Sequence, residues 1–315
     1  MLVSIVITTY NRPEIAQNAV KSVLAQTYKS LEIIVVEDGS DSGIEDWLCT
    51  RGLSQIRYIR HEQNLGLPAA RNIGLKHSKG KYIAYLDDDD EWKPEKMQKQ
   101  VELAERLNSD YAIIYCGLEV KDESGRIVAL NMPRLKGTIR DEIVKKGLNT
   151  IPSSFLFRKE ALLRIDGFDT DLYTGIDHDI WMKIAKHGYR TDYVNEALVI
   201  HTQHDELQMT SDVPRRISGI EQYLNKWMPD ILSWFGPKAG EKYCSDYYVK
   251  VIGGLGLSLI LNGSVREGKK VLWNVLLKEP KSFLSNLRLT FALFGGKYLH
   301  DLVKISINRI KNKHK

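Results

Sequence analysis

Residues 2–8, 31–36 and 82–86 are rich in apolar and β-branched side chains at odd and even positions alike. A strand with one wet face alternates polar and apolar residues, so these runs read as strands covered on both faces, the habit of a parallel sheet. Helical patterns separate them. After Asn11-Arg12-Pro13, the residues Ile15, Ala19, Val23 and Leu24 recur at helical spacing, and Pro13 suits a first turn. A further strand is expected at 55–60 and a helix at 67–77. This βαβα series predicts an α/β fold, a mostly parallel Rossmann-like sheet with helices on both faces. Ligands of such sheets bind outside the carboxyl ends of the strands. The segments there are Thr8-Thr9-Tyr10-Asn11, Glu37-Asp38-Gly39-Ser40 and Asp87-Asp88-Asp89-Asp90, which should meet on one edge.

The aspartate run carries the most chemistry. Four adjacent carboxylates repel and raise one another's pKa unless something positive joins them. A hard divalent cation with oxygen ligands, Mn2+ or Mg2+ shared with a diphosphate, would neutralise them; a solvated acidic turn is the plainer reading. Alternation along an extended segment puts Asp87 and Asp89 on one side, and Asp90 reads as a cap for the helix after it.

Beyond residue 94 the pattern gives an amphipathic helix to about 107, a strand at 111–116, and a hairpin over 119–130 broken at Asp122-Glu123-Ser124-Gly125. A strand at 153–157 and a helix at 177–187 follow. From about 215 the strand signal stops, and an α-helical extension is expected over 215–315. That divides the chain into a catalytic domain at 1–214, with halves at about 1–110 and 111–214, and the extension.

Charge narrows the function classes. The 315 residues carry a net +5, and the tail from Gly296 alone holds six Lys/Arg against Asp301, so the remainder sums to zero. No basic surface is left in the body for nucleic acid. Cys49, Cys116 and Cys244 are too few and too scattered for a disulfide framework or a zinc site, and read as thiols of a reducing cytoplasm. The start of the chain enters a strand pattern without a basic leader, and no run of eighteen apolar residues predicts a membrane span.

In order, Ile7-Thr8-Thr9-Tyr10-Asn11-Arg12, Val35-Val36-Glu37-Asp38-Gly39-Ser40, Asn64-Leu65-Gly66 with Ala70-Arg71-Asn72, and Leu86 to Asp90 with Trp92 and Pro94 resemble motifs of the family 2 glycosyltransferases. Gly167-Phe168-Asp169 and Asp177-His178-Asp179-Ile180-Trp181 extend the resemblance to about residue 211. It implies a GT-A fold and an inverting, metal-dependent transfer of sugar from a nucleoside-diphosphate donor. On that resemblance Asp177 is the general base, although Ile176 stands where a glutamate is common, and Asp179 is the competing candidate. Thr8, Thr9, Tyr10, Arg12, Asp38, Asn64, Gly66, Arg71, Asp87 and Asp88 are donor-binding candidates. Asp38 would accept from a uracil N3–H, and Arg71 would pair with the diphosphate, or else with a carboxylate in a surface salt bridge. Asp89 is the direct metal contact. His204, after a departure at His201 and Thr202, is a second metal-side candidate. The implied partners are a UDP-sugar and a glycan or lipid-linked acceptor of cell-envelope polysaccharide synthesis. A polyprenyl-phosphate acceptor is the near alternative. A nucleotidyltransferase would need a glycine-rich loop that Thr8 to Pro13 lacks, and an inactive sugar-nucleotide binding module would not need Asp89 and Asp177.

Leu299, Leu302, Val303 and Ile310 fall near one helical face among Lys304, Arg309, Lys311, Lys313 and Lys315. A basic amphipathic tail of this kind is either a solvated helix end packed on the extension or a segment that lies on anionic membranes; the second reading would place a cytoplasmic enzyme peripherally at the inner face of the cell membrane.

Overall fold

The structure, a computed structural model, describes residues 1–141, 150–203 and 212–294. His204 and the tail from residue 295 lie outside them. The chain forms two compact units, Met1–Ser211 and Asp212–Lys315.

The first unit is a ten-stranded mixed sheet in the order β3-β2-β1-β4-β9-β6-β10-β5, with β7 paired to β6 and β8 to β10. Its strands are β1 (Val3–Thr9), β2 (Leu31–Glu37), β3 (Arg57–Arg60), β4 (Tyr82–Asp87), β5 (Asp90–Trp92), β6 (Tyr111–Lys121), β7 (Ile127–Asn131), β8 (Gly137–Thr138), β9 (Leu156–Arg158) and β10 (Arg190–Thr202). The β3-β2-β1-β4 half is parallel, and β9 joins it antiparallel to β6. The helices are α1 (Pro13–Leu24), α2 (Ile44–Thr50), α3 (Leu67–His77), α4 (Lys96–Glu105), α5 (Lys159–Arg164) and α6 (Ile176–Lys186). Val3, Ile5 and Ile7 of β1 share one core with Ala16, Ala19, Val20 and Val23 of α1 and Met97, Val101 and Ala104 of α4. The opposite face of β1 lies under α3, where Gly74 sits directly against Val6. Both faces are therefore dry, which is why β1 is buried at all seven positions.

Two expectations change here. Residues 152–154 are a short 3-10 turn before β9 rather than part of a strand. Asp90 caps no helix: the chain leaves β4 at Asp87, turns through Asp88 and Asp89, and re-enters the sheet as β5 against β10, pairing Asp90 with His201.

The second unit is helical among its described residues: α7 (Val213–Phe235), α8 (Pro237–Tyr248), a π-helical segment (Val249–Gly253), α9 (Gly254–Leu261), α10 (Val265–Lys278), α11 (Pro280–Ser285) and α12 (Leu287–Phe294). The α8-π-α9 stretch runs unbroken from Pro237 to Leu261, long and apolar enough by length and composition alone to cross a membrane. More than half of its most apolar window is buried within the protein, as in the core helix of a globular unit. Gly256 and Gly268 allow α9 and α10 to approach closely, since a Cβ on Gly268 would lie 2.5 Å from the Gly256 carbonyl oxygen.

Candidate functional site

The parallel register brings the three polar strand ends together. Thr8 pairs with both Val36 and Asp87, and Thr9 with Glu37. Glu37 is fully buried, yet hydrogen bonds from Ser40, Tyr58 and Ser42 outweigh the burial and hold its carboxyl below the usual range. It braces the turn that carries Asp38. The Asp38 carboxylate accepts from the backbone N–H groups of Leu65 (3.0 Å) and Gly66 (2.8 Å) and from His61 Nδ1 (2.7 Å). Asp38 thus fixes the 61–66 loop to the end of β2. Gly39 is required for this: its φ is +73°, and a Cβ there would lie 2.0 Å from the Asn64 nitrogen.

On the other side of β1, Asp88 is buried and accepts from Thr9 Oγ1 (2.7 Å) and Arg12 Nη2 (2.6 Å), while Arg12 Nη1 reaches Asp89 at 3.2 Å. Arg12 itself is half-buried and lies at the mouth of the cluster. Asp87 points elsewhere, to Arg71. The expected sharing of one side by Asp87 and Asp89 therefore fails, because alternation holds only while the chain is extended and β4 ends at Asp87.

Arg71, on α3, is the hinge of the site. It is fully buried, donating Nη2 to Asp87 (2.8 Å) and Nη1 to Asp177 (3.0 Å), with its guanidinium stacked near Phe168 at 5.2 Å. Burial alone would depress its pKa, but the two carboxylates raise it instead. The sequence expectation offered the diphosphate or a surface partner, whereas here Arg71 pairs two carboxylates 90 residues apart in sequence. Asp177 occupies the first turn of α6, whose Trp181 is wedged edge-on against Tyr115 and Phe155. The Asp177 side chain remains 41 % exposed, whereas Asp179 is buried. Desolvation and the nearby Asp87 charge push the Asp177 carboxyl above its usual range, against the pull of Arg71.

Tyr10 and Asn64 are exposed at the rim, and Gly66 starts α3 with its N–H on Asp38. Thr8 is buried beneath them. Sequence reasoning missed Ser153, whose hydroxyl donates to Asp90 and accepts the Asp87 N–H, and whose carbonyl accepts Trp92 Nε1 (2.7 Å). It missed His61 as well. Only the presence of polar side chains within or beside apolar runs marked either residue.

The cluster suits a hard cation. Five carboxylates, Asp87 to Asp90 and Asp177, face two guanidiniums and His201, whose Nδ1 donates to Asp90 at 2.7 Å. Burial, aided by neighbouring carboxylates, pushes Asp88 up to about 7 and Asp90 to about 6. A site this short of positive charge and built of oxygen donors favours Mg2+ or Mn2+ over softer metals. No group of three or more His, Cys, Asp or Glu poised to enclose an ion by themselves occurs among the described residues. An ion here would therefore share substrate oxygens or water.

The sheet and helices resemble solved glycosyltransferases. TarS of Staphylococcus aureus, solved with UDP-GlcNAc, superposes with a TM-score of 0.63 over 98% of this chain and 92% of its own, at 18% identity. The mannosyltransferase PcManGT of Pyrobaculum calidifontis, solved with GDP-Man and Mn2+, gives 0.58 over 92% and 84% at 18% identity. A putative colanic acid biosynthesis glycosyl transferase of Escherichia coli, WcaA, is 29% identical over 86% of this chain and 96% of its own length. An uncharacterized glycosyltransferase of Rickettsia bellii is 36% identical over 59% of this chain but only 27% of its own length, and one of Rickettsia prowazekii is 30% identical over 72% and 70%. The profile described as Glycosyl transferase family 2 matches residues 4–165, from the first residues of β1 through α5. With a family match across half the chain and a relative 30% identical over 72% of it, the chain belongs to glycosyl transferase family 2.

Proposed function

We propose that the protein transfers a sugar from a nucleoside-diphosphate donor, a UDP-sugar in our reading, to a hydroxyl of a glycan or lipid-linked acceptor, with inversion at the anomeric carbon. The single observation that carries this reading is Arg71, which ties the donor-side carboxylate Asp87 to the candidate base Asp177. In this scheme Asp177 takes the proton of the acceptor hydroxyl, and the oxygen attacks the anomeric carbon. The bond to the diphosphate oxygen breaks, and the nucleoside diphosphate departs. The protonated Asp177 then releases its proton to solvent, which its partial exposure permits. Asp38 and the loop it anchors frame the base, with Tyr10 and Asn64 at the rim. Thr8, Thr9, Arg12, Asp87 and Asp88 surround the diphosphate and ribose, and Asp89 would hold Mn2+ or Mg2+. That cation, when bound, supplies positive charge for the leaving diphosphate.

The catalytic role falls to residues 1–214, and a nucleotide-sugar donor places the reaction in the cytoplasm. The named ligands of TarS and PcManGT and the colanic acid biosynthesis named for WcaA support this class. The test is thermal stabilisation of the full chain by a panel of sugar nucleotides with Mn2+, followed by transfer assays on the hits. If no sugar nucleotide raises the melting temperature, the reading is wrong.

A further inference from the structure

The helical unit exposes large apolar side chains that its own core leaves uncovered. On α12, Leu287 (66 % exposed), Phe291 and Phe294 (59 %) follow at i, i+4 and i+7, while Leu289, Ala292 and Leu293 turn inward. On α10, Trp273 and Leu277 (67 %) are exposed one turn apart, while Val271, Leu272 and Val275 are buried. Trp273 meets Phe294 at 6.3 Å between ring centroids, so the two stripes join into one surface. Contiguous apolar surface of this kind marks an interaction site.

Charge identifies what it meets. Over residues 265–294, from α10 to α12, the sequence holds six Lys and Arg against two acids, a net +4, whereas the preceding 264 residues carry −4. Helical spacing places Arg266, Lys269 and Lys270 on the same side of α10 as Trp273 and Leu277, and Arg288 beside Leu287 and Phe291 on α12. The occupant of such a face needs an apolar phase for the rings and negative charge for the flanking Lys and Arg. An anionic bilayer satisfies both: rings and leucines enter the interface while Lys and Arg reach the phosphates.

We infer that the α10–α12 face, centred on Trp273, Phe291 and Phe294, is a peripheral docking surface for anionic phospholipid membranes. The inference does not depend on the sugar donor or on Asp177.

Flotation of the full chain tests it, with vesicles of phosphatidylcholine alone or with about a third phosphatidylglycerol. The parent should float with the anionic vesicles only and be released by high salt. The double variant Trp273→Ser/Phe291→Ser should lose at least about tenfold in partitioning with an unchanged circular-dichroism melting curve. Leu130→Ser, a comparably exposed leucine on β7, should float like the parent. Equal flotation of parent and double variant overturns the inference. So does a parent that ignores anionic vesicles, as when a second copy covers the face, seen as a dimer that the double variant breaks in sedimentation.

Discussion

Arg71 decides much of the site's chemistry. A guanidinium forks between two acceptors with fixed geometry, which an ammonium cannot reproduce. Arg71→Lys should therefore retain the charge but loosen the distance between Asp87 and Asp177. We expect kcat to fall about ten- to hundredfold while donor-induced thermal stabilisation changes little. Loss of donor binding in step with kcat would instead assign Arg71 to the diphosphate. Asp177→Asn should abolish transfer, by roughly a thousandfold or more, while still binding donor. Because partial desolvation and the Asp87 charge hold the Asp177 carboxyl above its usual range and a base works only when ionised, kcat/KM should climb with pH through that raised pKa and level off above it. The Arg71→Lys profile reports how strongly the guanidinium holds that limb down.

At the scale of elements, the helix after the aspartate turn carries an unusual residue. Lys96 of α4 is fully buried, its Nζ donating to Gln100 (2.8 Å) and lying 3.9 Å from the centre of the Trp92 ring. Burial lowers its pKa to about 7. The folded state then binds fewer protons than the unfolded state between about pH 7 and the ordinary lysine value, so stability should increase with pH across that window, by at most about 1.4 kcal/mol per pH unit. Lys96→Met, of similar volume and without the charge, should remove that slope and melt higher at pH 7. Denaturant titrations of both proteins across the window check this. The elements also differ in how plainly the sequence announces them. The strands β1, β2 and β4 and the helices α1 and α3 were readable within a residue or two because each meets its partners on both faces or along one clean stripe. Strand β10 was readable only at its end, since Asn195 and Glu196 interrupt it where its pairing with β6 shifts register. Strand β5 was invisible because three residues, beginning with the last of the four aspartates, carry no periodic signal. Its existence depends on β10, more than a hundred residues away, and that distant pairing is what turned Asp90 from an expected cap into a buried sheet residue.

For the molecule as a whole, the family and the GT-A arrangement followed from ordered motifs, since strand ends converge wherever a parallel sheet forms. The ion pairs across the site did not follow, because spacing says nothing of which carboxylate Arg71 reaches. A ligand that binds only the folded chain stabilises all of it by mass action, roughly 2.7 kcal/mol at a hundred times its dissociation constant. With a UDP-sugar and Mn2+ together, the melting temperature should rise by several degrees, and excess chelator should cancel most of that rise; Asp89→Asn should show the small, chelator-insensitive remainder. A stabilisation untouched by chelator would remove the ion from the donor site. Of six tryptophans, Trp273 alone is exposed; Trp92, Trp181 and Trp227 are buried and Trp47 and Trp234 half-buried. Its indole should therefore account for the red edge of the emission spectrum and for the fraction quenched readily by acrylamide. Whatever settles on that face will shift the colour of the protein's own light, without a dye being attached.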